Sequence, residues 1–133
     1  MALLQLTYAS RPFGYDEAGL RGILMDARRC NTRDGITGAL ICRDDLYLQM
    51  LEGPAAAVEA TYTRIRRDDR HIEVRELTRR QIADDGRLFA AWAMRDDPAQ
   101  SWVWSRAEVE EGVPERAPEV DVIALFARLA ARP

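Results

Sequence analysis

The residues of this sequence able to do chemistry are few, and the most conspicuous sits in an apolar run. In LYLQMLEG (46–53) a strand's alternation sends Leu46, Leu48 and Met50 to one face and Tyr47, Gln49 and Leu51 to the other. Gln49 thus takes a place where an apolar side chain is expected. A buried primary amide left without partners costs about 1–3 kcal/mol, so something polar must meet it. Either a neighbouring loop bonds it or a ligand lying on the sheet does. Tyr8, at the end of a first strand, and Asn31, at the end of a first helix, converge with it if Tyr8 faces the helix-covered side. A phenol and two amides can read the donor–acceptor edge of a heterocycle, and an apolar slot with few convergent polar groups suits a planar cofactor.

Taken singly, these residues have ordinary explanations. Tyr8 could be a strand-end tyrosine, and Asn31 a residue type common at helix C-termini. Asp68 to Arg70 could be a solvated helix end, His71 is the one histidine, and Trp92 and Met94 could be core.

The elements that must position them follow from periodicity. Leu3 to Tyr8 reads as a strand with Leu4, Leu6 and Tyr8 on one face. Asp16 caps a helix to about Asn31, whose Leu20, Ile23, Leu24 and Ala27 recur at helical spacing. A hairpin follows: strands Ile36 to Cys42 and Leu46 to Leu51 around the turn Arg43-Asp44-Asp45. Gly53-Pro54 opens a second helix with Val58, Thr61, Tyr62 and Ile65 inward. Ile72 to Thr78 reads as a strand, Arg79 to Arg87 as a polar connection, and Phe89 to Met94 as a fifth strand. This order predicts an α+β, ferredoxin-like βαββαβ sandwich with an added strand and two helices on one sheet face. Residues 98–133 form a helical extension to a domain spanning 1–97. In it, Ser105 to Glu108 reads as a capping box, Val113 to Pro118 as a linker, and Val120 to Ala131 as an amphipathic helix with Val122, Leu125, Phe126 and Leu129 in one stripe. That stripe is available to cover Leu3, Leu48 and Met50 on the other sheet face, within the subunit or across a dimer.

Composition narrows the function. With 47% hydrophobic residues the chain can build a real core as one domain. Its net charge is -3 and every basic residue is Arg, without a basic stripe, which argues against direct nucleic-acid binding. No stretch is apolar enough to span a bilayer, and the N-terminus has no signal-peptide pattern. Cys30 and Cys42 lack the spacing of a metal or disulfide framework, so a cytoplasmic, reduced protein without a metal is expected.

Five runs in order resemble the BLUF domain, a blue-light sensor that uses flavin: LTYAS at Tyr8, RRCNTRDGITGAL at Asn31, LYLQMLEGP at Gln49, RRDDRHIEV at His71, and AAWAM at Trp92. The resemblance covers about Leu3 to Asp96. It implies that Tyr8 donates an electron and proton to the excited flavin, and that Gln49 bridges Tyr8 to the flavin N5 and C4 carbonyl. By the same resemblance Asn31 holds the C4 carbonyl and N3 edge, and Ile23 packs on the isoalloxazine. Asp68, Arg70 and His71 line the ribityl and phosphate end, and Met94 and Trp92 sense Gln49. Cys30 departs from the pattern: relatives often carry Asn or His there, and a thiol is a weaker hydrogen-bonding partner beside the ring.

The function implied is a photoreceptor rather than an enzyme. It binds FAD (FMN or riboflavin share the ring that is contacted) and signals by hydrogen-bond rearrangement to a separate downstream protein, as a homodimer or higher homo-oligomer. Two alternatives share the fold: a flavin-free interaction module and a small acylphosphatase-like enzyme. The latter needs an anion-cradling loop, and Arg11-Pro12-Phe13-Gly14 is a poor one because proline removes a backbone donor.

Overall fold

A computed structural model describes residues 3–12, 17–43, 45–68, 71–90, 94–98 and 104–131. Strand β1 (Leu3–Pro12) leads to helix α1 (Glu17–Asp34), the hairpin β2 (Thr37–Arg43) and β3 (Leu46–Gly53), helix α2 (Ala55–Arg66) and strand β4 (His71–Ile82). A short β5 (Arg95–Pro98) is followed by α3 (Arg106–Glu110), α4 (Val113–Arg116) and α5 (Glu119–Ala130). The sheet runs β4-β1-β3-β2-β5. All neighbours are antiparallel except β2 and β5, which are parallel. This is the ferredoxin-like sandwich with an added strand and a C-terminal helical tail.

Strand alternation sorts the core into two layers. On one face Leu4, Leu6, Tyr8, Leu40, Tyr47 and Leu51 pack with Ile23 and Leu24 of α1 and Val58 and Tyr62 of α2. On the other, Ala9, Ala39, Ile41, Leu46, Leu48 and Met50 pack with Phe89, Val109 and the Val122, Phe126 and Leu129 stripe of α5. The tail therefore covers the second face within the same chain. Covered on both sides, every residue of β3 is buried.

Several element boundaries differ from the sequence reading: β1 runs past Tyr8 to Pro12 and α1 past Asn31 to Asp34, and three further differences concern the later elements. The fifth strand is not Phe89 to Met94 but Arg95–Pro98. The backbone N–H of Phe89 donates to the buried carboxylate of Glu52 at 2.9 Å, and that of Leu88 donates to the same carboxylate at 2.8 Å, so Leu88 and Phe89 are tied down outside the sheet. Glu52 also accepts from Gln5 Nε2, its cross-strand neighbour, at 2.8 Å. Second, β4 runs on to Ile82 where a polar connection is expected from Arg79, because β1 offers partners as far as Leu3. Third, Val113–Arg116 is a helical turn rather than a linker, with proline in its tolerated first turn.

The cover on the second face is substantial. Phe126 is fully buried, edge-on to Phe89 with ring centroids 6.3 Å apart. Phe126→Ala is expected to lower the unfolding free energy by about 3–5 kcal/mol, measured by urea denaturation. Val120→Ala, on the same helix but exposed, is expected to stay within about 0.5 kcal/mol of wild type.

Candidate functional site

Each polar side chain on the helix-covered face is set by a local backbone device. In the β1–β3 register Tyr8 stands directly opposite Gln49, so both project to one face as close neighbours. The Tyr8 hydroxyl donates to Gln49 Oε1. Gln49 Nε2 in turn donates to the Met94 sulfur at 3.3 Å. Asn31 lies in the last turn of α1, which runs three residues further than its sequence pattern suggests. Gly35, with φ 72, ends that helix in the left-handed conformation, and the Ile36 N–H returns to the Asn31 carbonyl at 2.9 Å. This closure pins Asn31 beside the start of β2.

Between α1, α2 and β3 lies a cavity of about 250 Å³. Of the residues singled out from the sequence, Ile23, Cys30, Asn31, Gln49 and Asp68 line it. Tyr8 and Met94 reach it through their bonds to Gln49. The backbone of His71 begins β4, but its side chain lies outside the described residues, as do Arg70 and Trp92 entirely. The fifth-strand placement of Met94 is corrected: it immediately precedes β5 and is buried in the helix-covered core cluster.

The cavity is graded from floor to rim. Asn31 and Gln49 are 1% and 2% exposed, whereas the side chains of Arg29 and Arg64 are 79% and 51% exposed. Leu51 and Ile65 add apolar wall. The buried Asn31 amide oxygen accepts no hydrogen bond from a described residue, so the floor keeps an acceptor for a bound group. Apolar walls, two buried amides at the closed end and guanidinium groups at the open end fit a planar heterocycle with an anionic tail.

Sequence reasoning missed Arg29, Thr61, Arg64 and Ile65 as lining residues. Positions 61, 64, 65 and 68 recur at helical spacing, and that signal was available. It was absorbed by reading α2's inner stripe as core alone. Arg64 is held in place by Thr61 Oγ1 at 3.0 Å and by Asp34 at 3.6 Å.

Burial pushes the Tyr8 hydroxyl well above the ordinary phenol pKa, with Tyr62, Asp68 and Tyr47 adding in the same direction. Its ring packs 5.5 Å from that of Tyr62. Tyr8 is therefore a neutral phenol with its proton aimed at an amide oxygen. Arg11, the basic residue of the loop considered for an anion cradle, is instead tied to the tail. Its Nη2 donates to the Val109 carbonyl at 3.1 Å and pairs with Glu115 at 3.3 Å.

A ferredoxin-like sheet with a phenol–amide–thioether chain beside an apolar slot defines a planar-cofactor-binding domain. The chain belongs to the BLUF family: the model of "sensors of blue-light using FAD" matches residues 3–95. Curated relatives include the photoactivated adenylate cyclase subunit beta of Euglena gracilis, 43% identical over 75 residues, covering 54% of this chain and 8% of that protein. The corresponding subunit of Euglena longa is 40% identical over 75 residues with the same coverage. The chain thus spans less than a tenth of these relatives. Among solved structures, the dark state of the BLUF protein BlrB has 30% identity and a TM-score of 0.78, covering 97% of this chain and 96% of that one. The ground state of BlsA has 25% identity and a TM-score of 0.80, covering 98% and 89%. A bacterial light-regulated adenylyl cyclase has 26% identity and a TM-score of 0.73 over 95% of this chain and 39% of that one. The domain is a flavin-using sensor of blue light.

The raised Tyr8 pKa has a sign that can be tested. Unfolded, the phenol titrates near pH 10; folded, it holds its proton to higher pH. The stability from keeping it buried and neutral is intact below about pH 10 and is lost as pH rises above that value toward the folded pKa. Tyr8→Phe is expected to show a shallower loss of unfolding free energy between about pH 9 and 11 than wild type, measured by urea denaturation across that range.

Proposed function

We propose that Tyr8, Gln49 and Met94 form the photoactive relay of this sensor, and that the Tyr8–Gln49–Met94 hydrogen-bond chain is the observation that carries this reading. FAD, when bound, supplies absorption of blue light and a ring able to accept an electron and a proton. Asn31 holds the polar ring edge at the cavity floor, Ile23 packs on the ring, and Cys30 lies beside it. Asp68, Arg70 and His71, with the rim residues Arg29 and Arg64, serve the ribityl and phosphate end. Trp92 is the companion of Met94 in sensing Gln49.

Tyr8 holds its proton on Oη and donates it to Gln49 Oε1 in the resting arrangement. A half-turn of the Gln49 amide exchanges its poles. Nε2 then faces Tyr8, whose oxygen can accept. Oε1 faces the Met94 sulfur, which has no hydrogen to give. The rotated amide thus loses one hydrogen bond and gains an unfavourable acceptor–acceptor contact. That imbalance makes the switched state metastable and gives the dark return its driving force.

The output is a signal rather than a product, passed to a separate downstream protein. Residues 1–97 are the flavin domain and 98–133 the extension that couples it to a partner or to a second copy in a homodimer. A cytoplasmic setting belongs to this proposal; among the described residues no helix is long and apolar enough to cross a membrane.

Purified protein is expected to be yellow, to carry FAD and to shift reversibly to longer wavelength under blue light. Tyr8→Phe and Gln49→Leu should keep FAD and lose the shift; a normal shift in either removes that residue from its role. Asn31→Ala should weaken FAD binding by about 5- to 150-fold, the equivalent of 1–3 kcal/mol for an unmet buried polar group, read by fluorescence titration.

A further inference from the structure

We propose that Arg28, a residue outside the cavity lining, is the positioning residue that holds Met94 against Gln49 and so sets the bias of the Gln49 amide. This rests on the relay reading given above for Tyr8, Gln49 and Met94.

Met94 is gripped at two atoms. Its sulfur accepts from Gln49 Nε2 at 3.3 Å, and its main-chain carbonyl accepts from Arg28 Nε at 3.1 Å. The two bonds are unequal. A thioether is a weak acceptor on a flexible side chain, so the sulfur contact cannot by itself fix where Met94 sits. The guanidinium–carbonyl bond is charge-assisted and stronger. The strand that Met94 introduces offers little more restraint: β5 is four residues long, and its described pairing is with β2 alone. Short edge strands open easily. Arg28 therefore supplies a firm anchor where the sheet supplies a slack one.

The location of Arg28 gives this anchor its consequence. Helix α1 presents Ile23, Cys30 and Asn31 to the cavity, while Arg28 reaches from the same helix to the approach of β5. One rigid element thus sets both the cavity wall and the distance from the Met94 sulfur to the Gln49 amide. With Met94 held close, the rotated amide is penalised by its oxygen facing sulfur. With Met94 released, that penalty fades, and the return to the resting orientation loses driving force.

Two measurements test the proposal. The first needs no light: methyl NMR of the protein labelled with ¹³C-methyl methionine, the Met94 resonance being assigned by its loss in Met94→Leu. Arg28→Ala is expected to shift the Met94 resonance; Met25→Ala, at an exposed position of α1, is expected to leave it in place. The second is dark recovery of the red-shifted state. Arg28→Ala should keep the FAD content and the dark spectrum and slow recovery by about 3- to 10-fold, the scale of one net hydrogen bond. Arg28→Lys, which keeps a cationic donor, should restore most of the rate; Arg28→Gln serves in its place for the loss variant should Arg28→Ala fold poorly. An unmoved Met94 resonance overturns the anchor. A moved resonance with wild-type recovery overturns the bias. A moved resonance in a protein whose wild type shows no red shift sinks the photoreceptor reading and leaves the anchor standing.

Discussion

The register of β1 against β3 is the constraint on which the rest depends. It sets Tyr8 opposite Gln49 on the face that α1 and α2 cover. Because side chains alternate with a period of two, a slip of one residue would send Gln49 to the tail side and bring Leu48 or Met50 to the flavin side. The register is held from both layers. Leu4, Leu6 and Leu51 fix it by burial on one face, and the bond from Gln5 to its cross-strand neighbour Glu52, whose carboxylate also accepts from Leu88 and Phe89, fixes it by polar contacts on the other. The polar contacts discriminate more sharply, since a shifted Glu52 would be a buried carboxylate without its donors.

From this register follows a division of labour along β3. Gln49 faces the cavity and Glu52 the opposite layer, three residues apart on one buried strand. Gln49 bonds Met94, and Glu52 bonds the backbone of Leu88 and Phe89. The segment from Leu88 to Met94 is thereby attached to both faces of the same strand. Its Phe89 end packs on Phe126 of α5, and its Met94 end sits at the amide. Arg87 strengthens the clasp with bonds to the Gly35 and Glu52 carbonyls at 3.0 and 3.2 Å.

Much of this was legible in the sequence. Strand alternation in 46–51 placed the Gln49 face correctly, and the α5 stripe of Val122, Phe126 and Leu129 announced a helix needing an apolar partner. The break in alternation at Gln49 pointed to a polar partner, which Tyr8 and Met94 supply. What stayed hidden depends on contacts between residues far apart in the chain. The pattern FAAWAM reads as a strand by composition, yet backbone donors captured by Glu52, some 36 residues earlier, make its start a loop. Asn31 was placed at a helix end because helix propensity alone does not reveal where a left-handed glycine stops the helix. The role of α2 in lining the cavity was hidden because Thr61 and Ile65 serve core and cavity at once.

Cover by α5 also explains how a sheet apolar on both faces keeps its second face from water. Ala39, Ile41, Leu46, Leu48 and Met50 would make a continuous apolar patch if bare, of a kind that soluble proteins rarely expose. Docking the tail there removes the patch and places its buried Phe126 edge-on against Phe89. Met94 bonds Gln49 on one face of β3, while Leu88 and Phe89, a few residues earlier in the chain, are held by Glu52 on the other. Phe89 belongs to both sides of this arrangement: its backbone N–H is held by Glu52 of the central strand, and its ring meets Phe126 edge-on in the layer that α5 covers.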